Sequence, residues 1–195
     1  RNTFDAVMQV HAEMRDKPRV GAKFPTHYSY THRLLNWYPD CRLLHTVREP
    51  KAVYASQGAK YLSSEDSALT RNLMRFKQFV HINIQVTGTG RLHRQLRGRP
   101  NYRVVRYEDL VRRPEAELRE ICHFAGLRFD DAMLRPKRYG SSFGRPAGAR
   151  GVDHSSLERW RRELSPLTAF LMDAMHPVAR RRFGYHDADG EVRAS

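Results

Sequence analysis

The chain has little of what would staple a small fold together. Its 195 residues include two cysteines, Cys41 and Cys122, too few and too far apart for a disulfide framework or a metal-ligand cluster, which points to a reducing, cytoplasmic setting. No run of about 18 apolar residues occurs, so no membrane span is expected. The opening "RNTFDAVMQV" has neither a signal peptide's apolar centre nor a starting methionine, and the expectation is a soluble chain that is a piece of a longer one. No Gly-x-x-x-x-Gly-Lys-Ser/Thr loop is present, which argues against a P-loop kinase, and there is no internal repeat or low-complexity tract. Lysine is scarce: six of the 35 basic residues, the rest being arginine.

What is present is positive charge and enough apolar residues for a core. The formal charge is +14 with 40% hydrophobic content, which suits one domain over residues 1–185 followed by a polar tail, 186–195. The basic residues are spread along the whole chain, so they call for an anionic partner without specifying a nucleic acid. Zinc spacing, an RNA-binding aromatic motif and a basic recognition helix are all missing, and no metal is expected.

Helical and strand patterns alternate. Phe4, Val7, Met8 and His11 fall at helical spacing. A short strand is predicted at 19–23, then a helix over about 27–37 capped by Thr26. "RLLHTV" (42–47) predicts a strand buried on both faces, and Pro50 the first turn of a helix. A long helical pattern runs over about 68–96, with the glycines of "TGTG" marking a break. Asn101 to Tyr107 reads as a third strand, and 114–125 as a helix. After Gly126 comes a Gly, Pro and Arg-rich segment. "SSLERWRREL" and "SPLTAFLMDAMHPVARRRF" close the chain as two capped helices, the latter started by Ser165 and Pro166. This order predicts an α/β fold of three layers, a central parallel sheet flanked by helices.

In such sheets ligands bind beyond the carboxyl ends of the strands, where helix amino termini point outward. "HTVREPKAVYAS" puts Arg48 at such an end and Ser56 on the helix that follows. A guanidinium grips phosphate with two parallel hydrogen bonds, and a hydroxyl adds a neutral donor. The residues alone leave a second reading open, in which Arg48 pairs with Glu49 or Asp109.

"LLHTVREPKAVYAS" resembles the 3'-phosphate-binding segment of sulfotransferases that use 3'-phosphoadenosine-5'-phosphosulfate. "VVRYEDLVRRPEAELREICHFAGL" is similar to that family's later strand and helix, "GAKFPTHYSYTHRLLNWYPDCRLLHTVREP" to the lead-in of bacterial members, and "SSLERWRREL" to their closing Ser-x-x-x-x-Trp helix. The resemblance covers most of Val20 to Leu164. It implies a P-loop-like α/β fold and transfer of a sulfuryl group from that nucleotide to a hydroxyl or amine of an acceptor. It also implies that Arg48 and Ser56 hold the donor's 3'-phosphate, that Tyr107 lies near its adenine, and that Arg150 and Gly151 close over the same phosphate. His27 is the candidate base for the acceptor's proton, and Lys23 the candidate cation for the transferring group. Cytosolic members place Lys and His two apart, whereas here they are four apart.

The family's phosphosulfate loop, of the Pro-Lys-Ser-Gly-Thr-Thr kind, has no match and would fall before Arg1, so an amino-terminally truncated fold is expected. A catalytically silent remnant that binds a partner is the competing reading, and a basic nucleic-acid module a weaker one. Neither the segment between Gly126 and His154 nor the region from Lys60 to Ser67 carries a readable code for the acceptor.

Overall fold

The computed structural model describes residues 2–23, 27–61, 67–136, 154 and 157–185. The chain divides into two compact units, Arg1–Cys41 and Arg42–Ser195. In the first, α1 (Asn2–Arg15) and α2 (Thr31–Trp37) are separated by a stretch whose described part is coil and a 3-10 turn, His27–Ser29. The Tyr38 hydroxyl donates to the Asp5 carboxylate, and the Phe4 and Tyr38 rings pack with centroids 6.0 Å apart, fixing the start of α1 against the end of α2. The strand expected at 19–23 is coil, with Val20 41% exposed. A strand needs a neighbour for its N–H and C=O groups, and none of the described strands pairs with this stretch.

The second unit carries the sheet. β1 (Leu43–Val47) and β2 (Tyr102–Arg106) pair in parallel, with Leu43 opposite Tyr102 and Val47 opposite Arg106. Between them run α3 (Pro50–Tyr61) and α4 (Ala68–Leu96), the long crossover that parallel pairing requires. After β2 come α5 (Tyr107–Arg112) and α6 (Pro114–Ala125), then α7 (Arg159–Glu163), α8 (Pro166–Met175) and α9 (Pro177–Arg182). The α/β class with a parallel sheet holds.

Among the described residues, β1 is covered on one face only. Leu44 is 43% exposed and Thr46 is exposed, while Val47 packs with Val104, Phe183 and Tyr185. Strand side chains alternate between faces, so a cover on one face leaves every second residue open. The expectation of burial on both faces therefore fails for the described residues.

α4 passes through "TGTG" without a break over 29 residues. The Thr87 and Thr89 hydroxyls donate to the Asn83 and Val86 carbonyls, and Arg182 donates to the Gly90 carbonyl at 3.1 Å. A side chain from α9 thus joins a backbone group of the segment where propensity favours interruption. Conversely, the closing helix expected over "SPLTAFLMDAMHPVARRRF" is two, because Pro177 has no N–H to continue α8 and starts α9 instead. Ser165 caps α8 as expected, accepting from the Thr168 N–H at 3.2 Å. Gly126 ends α6 at φ 63°, in the left-handed region that favours glycine.

Candidate functional site

β1 ends at Val47 and α3 begins at Pro50, which leaves Arg48 and Glu49 as the whole connection. Two carboxylates hold this turn. The Glu49 N–H donates to Glu108 Oε1 at 2.9 Å, and the Lys51 N–H reaches Glu49 Oε1 at 3.5 Å. Carboxylates suit a helix amino terminus, where N–H groups lack intrahelical partners. The opening of α3 is thus partly occupied by the chain's own anions. The second oxygen of Glu108 accepts from the Tyr185 hydroxyl at 3.0 Å, tying the turn to the end of the described chain. Burial beside Glu108 pushes the Tyr185 phenol well above its ordinary range, so this hydroxyl remains a donor.

Arg48 extends from this turn over Tyr107, its guanidinium carbon 4.4 Å from the ring centroid. Tyr107 is half-buried and opens α5, immediately after β2. The structure thus brings together two of the predicted residues, one from the carboxyl end of each strand. Of the carboxylates suggested as structural partners for Arg48, Asp109 lies 3.6 Å from Arg106, and Glu49 lies 3.8 Å from Lys51. A cavity of about 170 Å³ adjoins Arg48, lined also by Val53 of α3, by Gln85 and Thr89 of α4, and by Arg180 of α9. Among the described residues that line it there is no carboxylate.

Ser56 sits half-buried on α3 and is not among the residues lining that cavity. A shared grip of Arg48 and Ser56 on one phosphate is therefore supported by the motif and not by the cavity. Lys23 is an exposed coil residue of the first unit, and His27 opens that unit's 3-10 turn. Arg150 and Gly151 lie outside the described residues.

Sequence reasoning missed a buried charge cluster behind the turn. Lys51 is only 5% exposed, lies 2.8 Å from Asp173 Oδ1, and has its ammonium 4.4 Å from the Trp160 ring centroid. Arg180, buried, lies 3.1 Å from the same Asp173 oxygen. Burial pushes the Glu49 carboxyl up, an effect that Lys51 and Arg180 oppose. One signal was available: Asp173 is the only charged residue of α8. A lone charge in an apolar helix has to find a buried partner or face water.

A second polar group braces the strands. The Tyr102 hydroxyl lies 2.7 Å from His45 Nδ1 and 3.2 Å from His93 Nδ1. Burial, helped by the neighbouring His93, lowers the His45 pKa to about 4, so this imidazole is neutral and structural at ordinary pH. That agrees with the reading of His45 as a strand residue.

Comparison with known proteins supports these motifs. The sulfotransferase family model matches residues 1–131. Human carbohydrate sulfotransferase 5 is 32% identical over 153 residues, covering 68% of this chain and 36% of the human protein. Human carbohydrate sulfotransferase 6 is 35% identical over 122 residues, covering 54% of this chain and 30% of that protein. The chain thus spans about a third of the length of these relatives. Among solved structures, the sulfotransferase domain from the curacin biosynthetic pathway aligns with TM-score 0.62 at 17% identity, over 92% of this chain and 68% of that one, a likeness of fold. The sulfotransferase domain from the Synechococcus PCC 7002 olefin synthase aligns with TM-score 0.55 at 26% identity, over 85% and 58%. With two thirds of its length under the family model and its strand-to-helix turn carrying the motif first seen in "VREPKAVYAS", the chain belongs to the sulfotransferase family.

Proposed function

We propose that this chain is the nucleotide-binding part of an enzyme that moves a sulfuryl group from 3'-phosphoadenosine-5'-phosphosulfate to a hydroxyl or amine, releasing 3',5'-adenosine bisphosphate. One observation carries the reading. Arg48, delivered by the carboxyl end of β1, stacks on Tyr107 from the end of β2 and lines a cavity whose described lining residues include no carboxylate. A guanidinium there would hold the ribose 3'-phosphate, and the Tyr107 ring supplies an apolar face for the adenine. Ser56 is the proposed neutral donor to the same phosphate, with Arg150 and Gly151 as its proposed late cover.

Transfer needs an acceptor oxygen or nitrogen in line with the breaking S–O bond, a cation on the moving group and a base for the acceptor's proton. His27 is proposed as that base and Lys23 as that cation, on their order in the lead-in motif. The names of the relatives favour a sugar hydroxyl as acceptor. A reducing compartment is proposed on the low cysteine content.

Calorimetric titration with 3',5'-adenosine bisphosphate tests the reading. Tight binding that Arg48→Ala weakens by about 1.5 to 3 kcal/mol is expected for a charged hydrogen-bond partner. Equal affinity in the variant and the parent would overturn it, and binding of polynucleotide without any response to the bisphosphate would favour a nucleic-acid module.

A further inference from the structure

The long helix α4 carries an apolar face left exposed among the described residues. Leu69, Leu73, Phe76, Val80 and Ile84 all face outward, from 80% exposed at Leu69 to 39% at Val80. At about 100° per residue these five fall within an arc of about 80° and run for roughly 22 Å, a narrow stripe of the kind that forms a seam between two helices. The side of α4 turned toward the protein is fixed. Gln78 donates to the Tyr54 carbonyl at 2.7 Å, the Phe79 ring meets the Tyr54 ring edge-on with centroids 6.3 Å apart, and Ile82 and Asn83 are buried. The stripe is thereby held outward. α8 also exposes Leu167 and Phe170, but its ten residues make a shorter face, under about three turns.

The spacing of the stripe is symmetric. Leu69 and Ile84 lie equally far from the midpoint between Phe76 and Lys77, and so do Leu73 and Val80. An antiparallel copy of the same helix therefore sets Leu69 against Ile84, Leu73 against Val80, and Phe76 against Lys77, a ring against an ammonium. Such self-matching is what a twofold interface requires, since one patch must serve both copies. Five side chains of this size offer roughly 500 Å² per copy, so a pair buries about 1,000 Å², the lower bound for a specific interface. We propose that this chain pairs with a second copy of itself through α4, antiparallel, about a twofold axis beside Phe76 and Lys77. α4 contains no acidic residue, so the two copies meet as like charges and salt should strengthen the pair. An acidic partner or an anionic membrane would instead lose its hold as salt rises.

Sedimentation velocity of the full chain over micromolar concentrations, at low and high salt, tests the pairing. A dimer that grows with concentration and tightens with salt is expected. Phe76→Glu should weaken it about tenfold or more, since a charge would be buried at the centre of the seam. Leu73→Glu and Val80→Lys should each weaken it as well, and the double variant should recover part of the loss, because residue 73 of one copy faces residue 80 of the other. In a parallel pair each position would face its own kind, so absence of recovery overturns the antiparallel twofold. Circular dichroism checks that each variant is folded. If Phe76→Glu does not fold, Leu69→Glu, at the most exposed position, takes its place. A chain that stays monomeric at high concentration and high salt overturns the proposal, as does a dimer that Phe76→Glu leaves intact. Monomers that bind phosphatidylserine vesicles, with binding lost in Phe76→Glu, overturn it in favour of a lipid surface. None of the five stripe residues lines the cavity beside Arg48, so failure here leaves the donor reading to its own nucleotide titration.

Discussion

Arg48 and Arg106 stand at the ends of neighbouring parallel strands, yet they do different work. Arg106 lies 3.6 Å from Asp109, donates to the Gly184 carbonyl at 3.2 Å, and has its guanidinium carbon 4.9 Å from the Tyr185 ring centroid. Each of these contacts joins β2 to a segment that must be placed for the fold to close. Arg48 instead stacks on Tyr107 and lines a cavity. The same side chain at the same kind of position braces the fold where the protein supplies carboxylate, carbonyl and ring together, and stacks on a ring while lining a cavity where it does not. What surrounds a guanidinium sets its role, and residue type does not.

The largest effect should come from the group that joins the β1–α3 turn to Tyr185. Glu108→Ala removes the acceptor of both the Glu49 N–H and the Tyr185 hydroxyl. With two buried donors stranded, denaturant titration should show a loss of roughly 3 to 5 kcal/mol. Acid should act next. The His45 pKa is about 4 in the folded chain, below its unfolded value near 6.5. Stability from keeping it neutral is fully present above pH 6.5 and is lost as pH falls toward 4, by about 2 to 3 kcal/mol. His93 and His176 are also lowered, chiefly by burial, and add to the loss in the same direction. Unfolding midpoints measured between pH 7 and 4 should fall less steeply for His45→Gln.

The comparison itself is tested by crossing the two arginines. Arg48→Ala should lose about 1.5 to 3 kcal/mol of nucleotide affinity with little change in thermal stability, and Arg106→Ala should do the reverse. Loss of stability for both, without loss of affinity for either, would make Arg48 a second structural arginine. The smallest effect is expected at Gly184, whose φ is 69° and where an added Cβ would meet Arg106 NH1 at 3.2 Å. Gly184→Ala should cost about 1 to 2 kcal/mol in a melting experiment, from the left-handed backbone and the crowded guanidinium.

The turn between β1 and α3 was legible because its signals are local. An apolar run, an arginine, a proline and a helical pattern follow within a few residues, and Pro50 does open α3. The α6 bounds were legible for the same reason, from Pro114 to the residue before Gly126. The short α5 was not, since Tyr107 to Arg112 has no cap and no period long enough to read. The uninterrupted α4 escaped because Arg182, far along the chain, supplies a hydrogen bond to Gly90. Lys51 and Asp173, 122 residues apart, form a hydrogen bond at 2.9 Å that no periodicity announces.

By itself the order of residues determined the family, the α/β class with a parallel sheet and the placing of Arg48 at a strand end, because each depends on contiguous pattern and chain length. Only the folded chain decided which arginines meet carboxylates, which line a cavity and that Arg180 does both, and that His45 stays neutral. Those outcomes depend on distance and burial between segments far apart in sequence, where electrostatic energies are set by who lies within a few ångströms.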